Sequence, residues 1–91
     1  MIVYSVTVNI SRAVEKDWVS WMKHLHIPDV MDTGKFEESH FTRMIDPPSI
    51  DPEFATYNIQ YLCDNIGRLQ HYFRDDAPRL QQEHSEKYKD Q

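Results

Sequence analysis

Ile2-Val3-Tyr4-Ser5-Val6-Thr7-Val8-Asn9-Ile10 decides the architecture. Ile2, Tyr4, Val6, Val8 and Ile10 fall on one side of an extended chain, and Val3, Ser5, Thr7 and Asn9 on the other. Period-two alternation of β-branched and aromatic residues with small polar ones predicts a strand with one buried face. The pattern recurs at residues 55–62, where Tyr57, Ile59 and Tyr61 oppose Thr56, Asn58 and Gln60. A third, less regular strand reads over 35–45. There Phe36, His40 and Met44 share one parity and Phe41 and Ile45 the other, which predicts a bulge or a strand buried on both sides.

Between the strands the period lengthens. Val14, Trp18, Trp21, Met22 and Leu25 lie on one helical stripe. Asn9 and Ser11 offer capping oxygens ahead of it. His26-Ile27-Pro28-Asp29 is expected to interrupt the helix, because the residue before a proline disfavours the α region. A short helical turn follows, ended by Gly34 in the left-handed region. Asp46-Pro47-Pro48-Ser49-Ile50-Asp51-Pro52 reads as a loop. After the last strand, Asp64 is expected to cap a second helix with Ile66, Leu69, Tyr72 and Phe73 on its apolar stripe. Pro78 kinks or restarts that helix, and Leu80, His84 and Tyr88 form a narrow stripe beyond it.

The halves repeat one another: strand, amphipathic helix, proline. The order is βαββα, a split βαβ pattern short of one strand. That strand falls due near residue 90, where the sequence ends. The sequence therefore reads as cut just before it, with a three-stranded sheet as the alternative. The expected fold is α+β, a ferredoxin-like βαββα(β) sandwich, as one domain over residues 1–91.

Composition narrows the function. The 91 residues are 40% hydrophobic and 27% charged, with a formal charge of −5. An acidic surface repels phosphate backbones, so nucleic acid is not an expected partner. Apolar runs fall short of the roughly 20 residues that span a membrane, so no membrane role is expected. Cys63 is the one cysteine, and no leader pattern opens the chain. Both point to the cytoplasm.

Residues 18–36 carry a resemblance. Trp18-x-x-Trp21-Met22-Lys23-x-x-His26-Ile27-Pro28-Asp29-Val30 followed by Thr33-Gly34-x-Phe36 looks like a small uncharacterised bacterial domain-of-unknown-function family. Tyr57-x-Ile59-Gln60-Tyr61 and Ala77-Pro78-x-Leu80-Gln81-x-Glu83-His84-Ser85 resemble its second half. That family is similar to the dimeric α+β barrel superfamily, which pairs two ferredoxin-like sheets and includes small monooxygenases, haem-degrading enzymes and stress-response proteins. The resemblance implies a homodimer through the sheet faces. It carries no established activity, and the missing strand departs from the family pattern.

The candidate chemistry is sparse. His24 and His26 form an H-x-H pair that a strand would align, but on a helix they diverge by about 200°. No metal site is expected. His26 and Asp29 have the spacing of an oriented imidazole, which makes His26 the candidate catalytic base; otherwise His26 caps a helix end. Trp21, Tyr57, Tyr61 and His84 are the candidate ligand-binding residues of a helix–sheet cleft, with Trp18 and Tyr4 beside them. In the superfamily a helix histidine can hold haem iron, but no motif here carries that role onto His84, and no cofactor is expected. His40 has no assigned face, and Cys63 has no base at motif spacing. Two functions remain: binding or oxygenase-like or isomerase-like turnover of a small aromatic or apolar molecule, or a non-catalytic assembly or regulatory module whose aromatics are core.

Overall fold

The computed structural model describes residues 1–45 and 53–89. The expected loop over 46–52 and the position of a strand near residue 90 lie outside them. Three strands, β1 (Ile2–Ser11), β2 (Glu38–Met44) and β3 (Phe54–Cys63), form an antiparallel sheet in the order β1-β3-β2. A 3₁₀ turn (Arg12–Val14), α1 (Glu15–Trp21) and α2 (Ile27–Met31) follow β1, and α3 (Ile66–Asp75) and α4 (Ala77–Lys87) follow β3. The result is an α+β arrangement compatible with the ferredoxin-like sandwich.

The register is continuous. Tyr4 pairs with Tyr61, Val6 with Ile59 and Val8 with Tyr57, while Ser39 and Phe41 of β2 face Tyr61 and Ile59. Directly opposed residues share a face, so these side chains form one inward layer. The ladder of β2 has no bulge, and the strand is half-buried on one side only. This corrects the reading of residues 35–45. Phe36, which confused the parity, precedes the strand and is buried against Tyr61 and Tyr72. His40 pairs with Gln60 and is exposed on the outer face, with Nε2 3.4 Å from Glu38 Oε2.

The outer face satisfies itself. Asn58 Nδ2 donates to Ser5 Oγ at 2.7 Å and Thr7 Oγ1 at 3.2 Å, and Thr56 Oγ1 donates to Asn9 Oδ1 at 3.1 Å. The inner face meets the helices. Ile10, Trp18, Val30, Ile59, Cys63 and Leu80 are almost wholly buried there. Each large apolar side chain removed from water contributes about 1.5–3 kcal/mol.

Pro28 does not break the first helix. Ile27 holds φ −63° and ψ −44°, and its N–H donates to Met22 O, five residues back, across a π turn at Met22–His26. The wide turn lets the helix run on despite the N–H that proline lacks. It also moves the inward position by one residue. Leu25, expected on the stripe, is 51% exposed, and His26 takes the inward place. Gly34, at φ +75°, ends α2 as expected. Asn65, not Asp64, caps α3, accepting from Arg68 N at 2.9 Å. Asp64 instead accepts from Asn65 Nδ2 and lies 3.6 Å from Arg68 Nη1. Ile66 and Phe73, expected on the α3 stripe, are exposed at 56% and 43%, whereas Leu69 and Tyr72 are buried. Pro78 sits in the first turn of a separate α4, a restart after Asp76.

Candidate functional site

A cleft of about 330 Å³ opens between α4 and the inner sheet face. Its floor is Tyr4, Val6 and Val8 of β1 with Ile59 and Tyr61 of β3. These residues meet there because paired strands in this register present them side by side. Met22 and His26 enter from the π turn, Val30 from α2 and Tyr72 from α3. Leu80, Gln81, His84 and Ser85 come from one face of α4, as spacings of three and four residues require.

Two imidazoles meet edge to face at the cleft, with ring centroids 5.8 Å apart and planes at 62°. His84 is oriented by Trp18, whose Nε1 donates to His84 Nε2 at 2.9 Å. Because that nitrogen accepts, the proton of the neutral ring resides on Nδ1. Burial holds the pKa of His84 below its ordinary value. His26 stacks on Trp21 at 4.8 Å and 26°. Burial first, and the neighbouring His84 second, push its pKa down to about 4, against a smaller upward pull from Asp29. The Nδ1 of His26 is buried without a hydrogen-bond partner, one of two such side-chain atoms among the described residues; Arg12 Nε is the other.

Tyr4, Tyr61, Tyr72 and Ser85 bring hydroxyl groups to the cleft. Tyr61 and Tyr72 are each 3% exposed. Burial drives both phenols well above the ordinary range, so they remain protonated and can donate.

His26, His84 and Tyr61 are thus brought together, as the sequence suggested. Trp21 backs the His26 ring instead of lining the cleft, and also contacts His84 and Tyr88. Tyr57 is elsewhere. Its hydroxyl donates to Glu15 Oε2 at 2.7 Å, and its ring packs on Trp18 and Phe41. Tyr57 and Tyr61 share a sheet face, but four residues of strand separate them by about 13 Å, and different helical segments cover them.

Asp29 makes no hydrogen bond to His26 among the described residues, so the oriented-base geometry is absent. His26 does not cap a helix end either, because the helix runs through it. His24 is exposed and borders a separate groove with Lys16 and Lys23. Among the described residues no group of three His, Cys, Asp or Glu side chains is placed to hold a metal ion. The haem-ligand role that the superfamily suggests does not fit His84, whose Nε2 lone pair is engaged by Trp18. Cys63 is buried, and its Sγ lies 3.1 Å from Asn65 O and 3.3 Å from Lys35 O. No helix among the described residues is long and apolar enough to cross a membrane.

Sequence reasoning missed Tyr72, Gln81 and Ser85. Gln81 and Ser85 flank His84 at helical spacing, and that spacing was the available signal. The same two motifs, Trp18 to Gly34 and Ala77 to Ser85, supply both walls of the cleft, and the match to known families covers them together.

The chain belongs to the family described as Domain of unknown function (DUF4286). The family model matches residues 1–91. No curated protein and no solved structure matches the chain.

Proposed function

We propose that this domain binds a small, flat, largely apolar molecule in the cleft between α4 and the inner sheet face. The observation that carries the reading is the half-buried imidazole of His26 at the border of a cleft with an apolar floor. A polar ring at an apolar wall marks a place where a ligand can contribute more than apolar burial. The cleft volume of about 330 Å³ sits at the small end of ligand pockets, and its apolar lining with a few convergent polar groups is what such pockets share. With its pKa pushed down to about 4, the His26 ring stays neutral at pH 7 and serves as a hydrogen-bond acceptor in preference to a proton-abstracting base.

Thermal shift with a panel of flavin, haem, divalent metals, and aromatic alcohols and quinones tests this. A ligand at a hundred times its Kd adds about 2.7 kcal/mol of stability, or roughly 10–20 °C in Tm for a domain this size. A saturable shift that disappears in Ser85→Trp, which fills the mouth from an exposed position, supports the reading. A flat panel favours the assembly module.

Pairing of two copies through the outer sheet face, as in dimeric α+β barrels, is a second proposal. It is supported by the exposed Val3 opposite Leu62 and by the exposed Met44 and Phe54 on the same face. Light scattering after size exclusion decides it.

A further inference from the structure

The cleft lining contains no Asp, Glu, Lys or Arg, although these make up 27% of the chain. The nearest charges act from outside it. Asp29 reaches His26, and Asp76 and Arg79 flank Tyr72 with opposite signs. The groups inside are held neutral: His26 and His84 by burial, Tyr61 and Tyr72 likewise. A charged ligand entering such a space would lose its water without gaining a counter-ion, which is strongly unfavourable.

The neutral groups are complementary. Neutral His26 offers a ring lone pair at the cleft it borders. The hydroxyls of Tyr61 and Tyr72, both residues of the lining, make no side-chain hydrogen bond among the described residues and can donate. A carbonyl or ether oxygen can satisfy only the donors. A hydroxyl can donate to the imidazole and accept from a phenol at once.

Resting on the reading of the cleft as a ligand site, we infer that it selects an uncharged, flat apolar molecule bearing a hydroxyl, which donates to His26. Charge and the hydroxyl proton together set specificity, and the apolar floor of Val6, Val8 and Ile59 sets affinity.

Four probes of one shape test this: 2-naphthol, naphthalene, 2-methoxynaphthalene and 2-naphthoate, titrated at pH 7 against the whole protein and against His26→Phe. The phenylalanine keeps a ring against Trp21 and removes the acceptor. The expected result is 2-naphthol binding about tenfold more tightly than naphthalene or the methyl ether, and 2-naphthoate at least about a hundredfold more weakly than 2-naphthol. In His26→Phe the naphthol advantage over naphthalene is lost. If the ether equals naphthol, or naphthoate binds within tenfold of it, the inference falls while the cleft remains a ligand site. Retention of the naphthol advantage in a folded His26→Phe overturns the assignment to His26. If none of the four binds saturably, the cleft reading falls and takes the inference with it. The probe series on the unaltered protein is decisive even if the variant does not fold.

Discussion

Trp18 and His84 are 66 residues apart in sequence and joined by a 2.9 Å hydrogen bond from the indole N–H to imidazole Nε2. The bond ties α4, one wall of the cleft, to the most deeply buried side chain of α1. It also sets the tautomer that His84 presents. His84→Phe leaves the Trp18 donor without a partner and should cost about 1–3 kcal/mol. A double-mutant cycle with Trp18→Phe, read by urea unfolding, should show coupling of about 1 kcal/mol; additivity would remove the bond from the stability account.

The depressed pKa of His26 gives stability a pH dependence of definite sign. Above its ordinary value of 6.5 the ring is neutral whether the chain is folded or not, and it contributes no slope. Between there and about 4 the unfolded chain takes up a proton that the folded chain refuses, so stability falls as pH falls. The full shift corresponds to an upper bound of about 3 kcal/mol, and a partly solvated ring reduces that to about 1–2 kcal/mol. The buried His84 acts in the same direction. Unfolding free energies measured from pH 7 to pH 4 should decline less steeply in His26→Phe. An unchanged slope would show that His26 titrates normally.

Gly34 tests the end of α2. A Cβ built there meets nothing within 4 Å, so Gly34→Ala introduces no clash. The positive φ of 75° remains, and the backbone penalty alone should cost about 1 kcal/mol. Gly34→Asn should recover part of it, because asparagine tolerates the left-handed region. Equal stability of all three would mean that the turn relaxes.

The cap of α3 separates two neighbours. Asn65→Ala removes the acceptor for Arg68 N and should cost about 1 kcal/mol. Asp64→Ala loses an exposed ion pair and should cost no more than a few tenths of a kcal/mol. The reverse order in denaturant midpoints would restore Asp64 as the cap.

The strands were legible because side-chain alternation is a local property. Tyr4, Val6 and Val8 had to share a face, and the register then matched them to Tyr61, Ile59 and Tyr57. The Gly34 stop and the Pro78 restart were legible for similar reasons, since each rests on the conformational limits of a single residue. The π turn was not. Nothing in Met22-Lys23-His24-Leu25-His26 announces an extra residue, and the regular helical count placed Leu25 inward. Pro28 was read as a break, whereas the wide turn accommodates it. In the site, His84, His26 and Tyr61 could be grouped from their stripes. Tyr57 could not be excluded without knowing which helical segment covers which end of the strand, and that information is tertiary.

The π turn has a consequence for insertions and deletions. His26 reaches the cleft by helix phase, because one residue more than an α-helix needs brings it round. Removing one exposed residue from the turn, such as Lys23, would leave every cleft side chain in the sequence and give a more regular helix. The imidazole would then stand three residues after Met22, the place that a regular helical count turns inward. The site is therefore expected to tolerate there a change in chain length that would shift the phase of an ordinary helix.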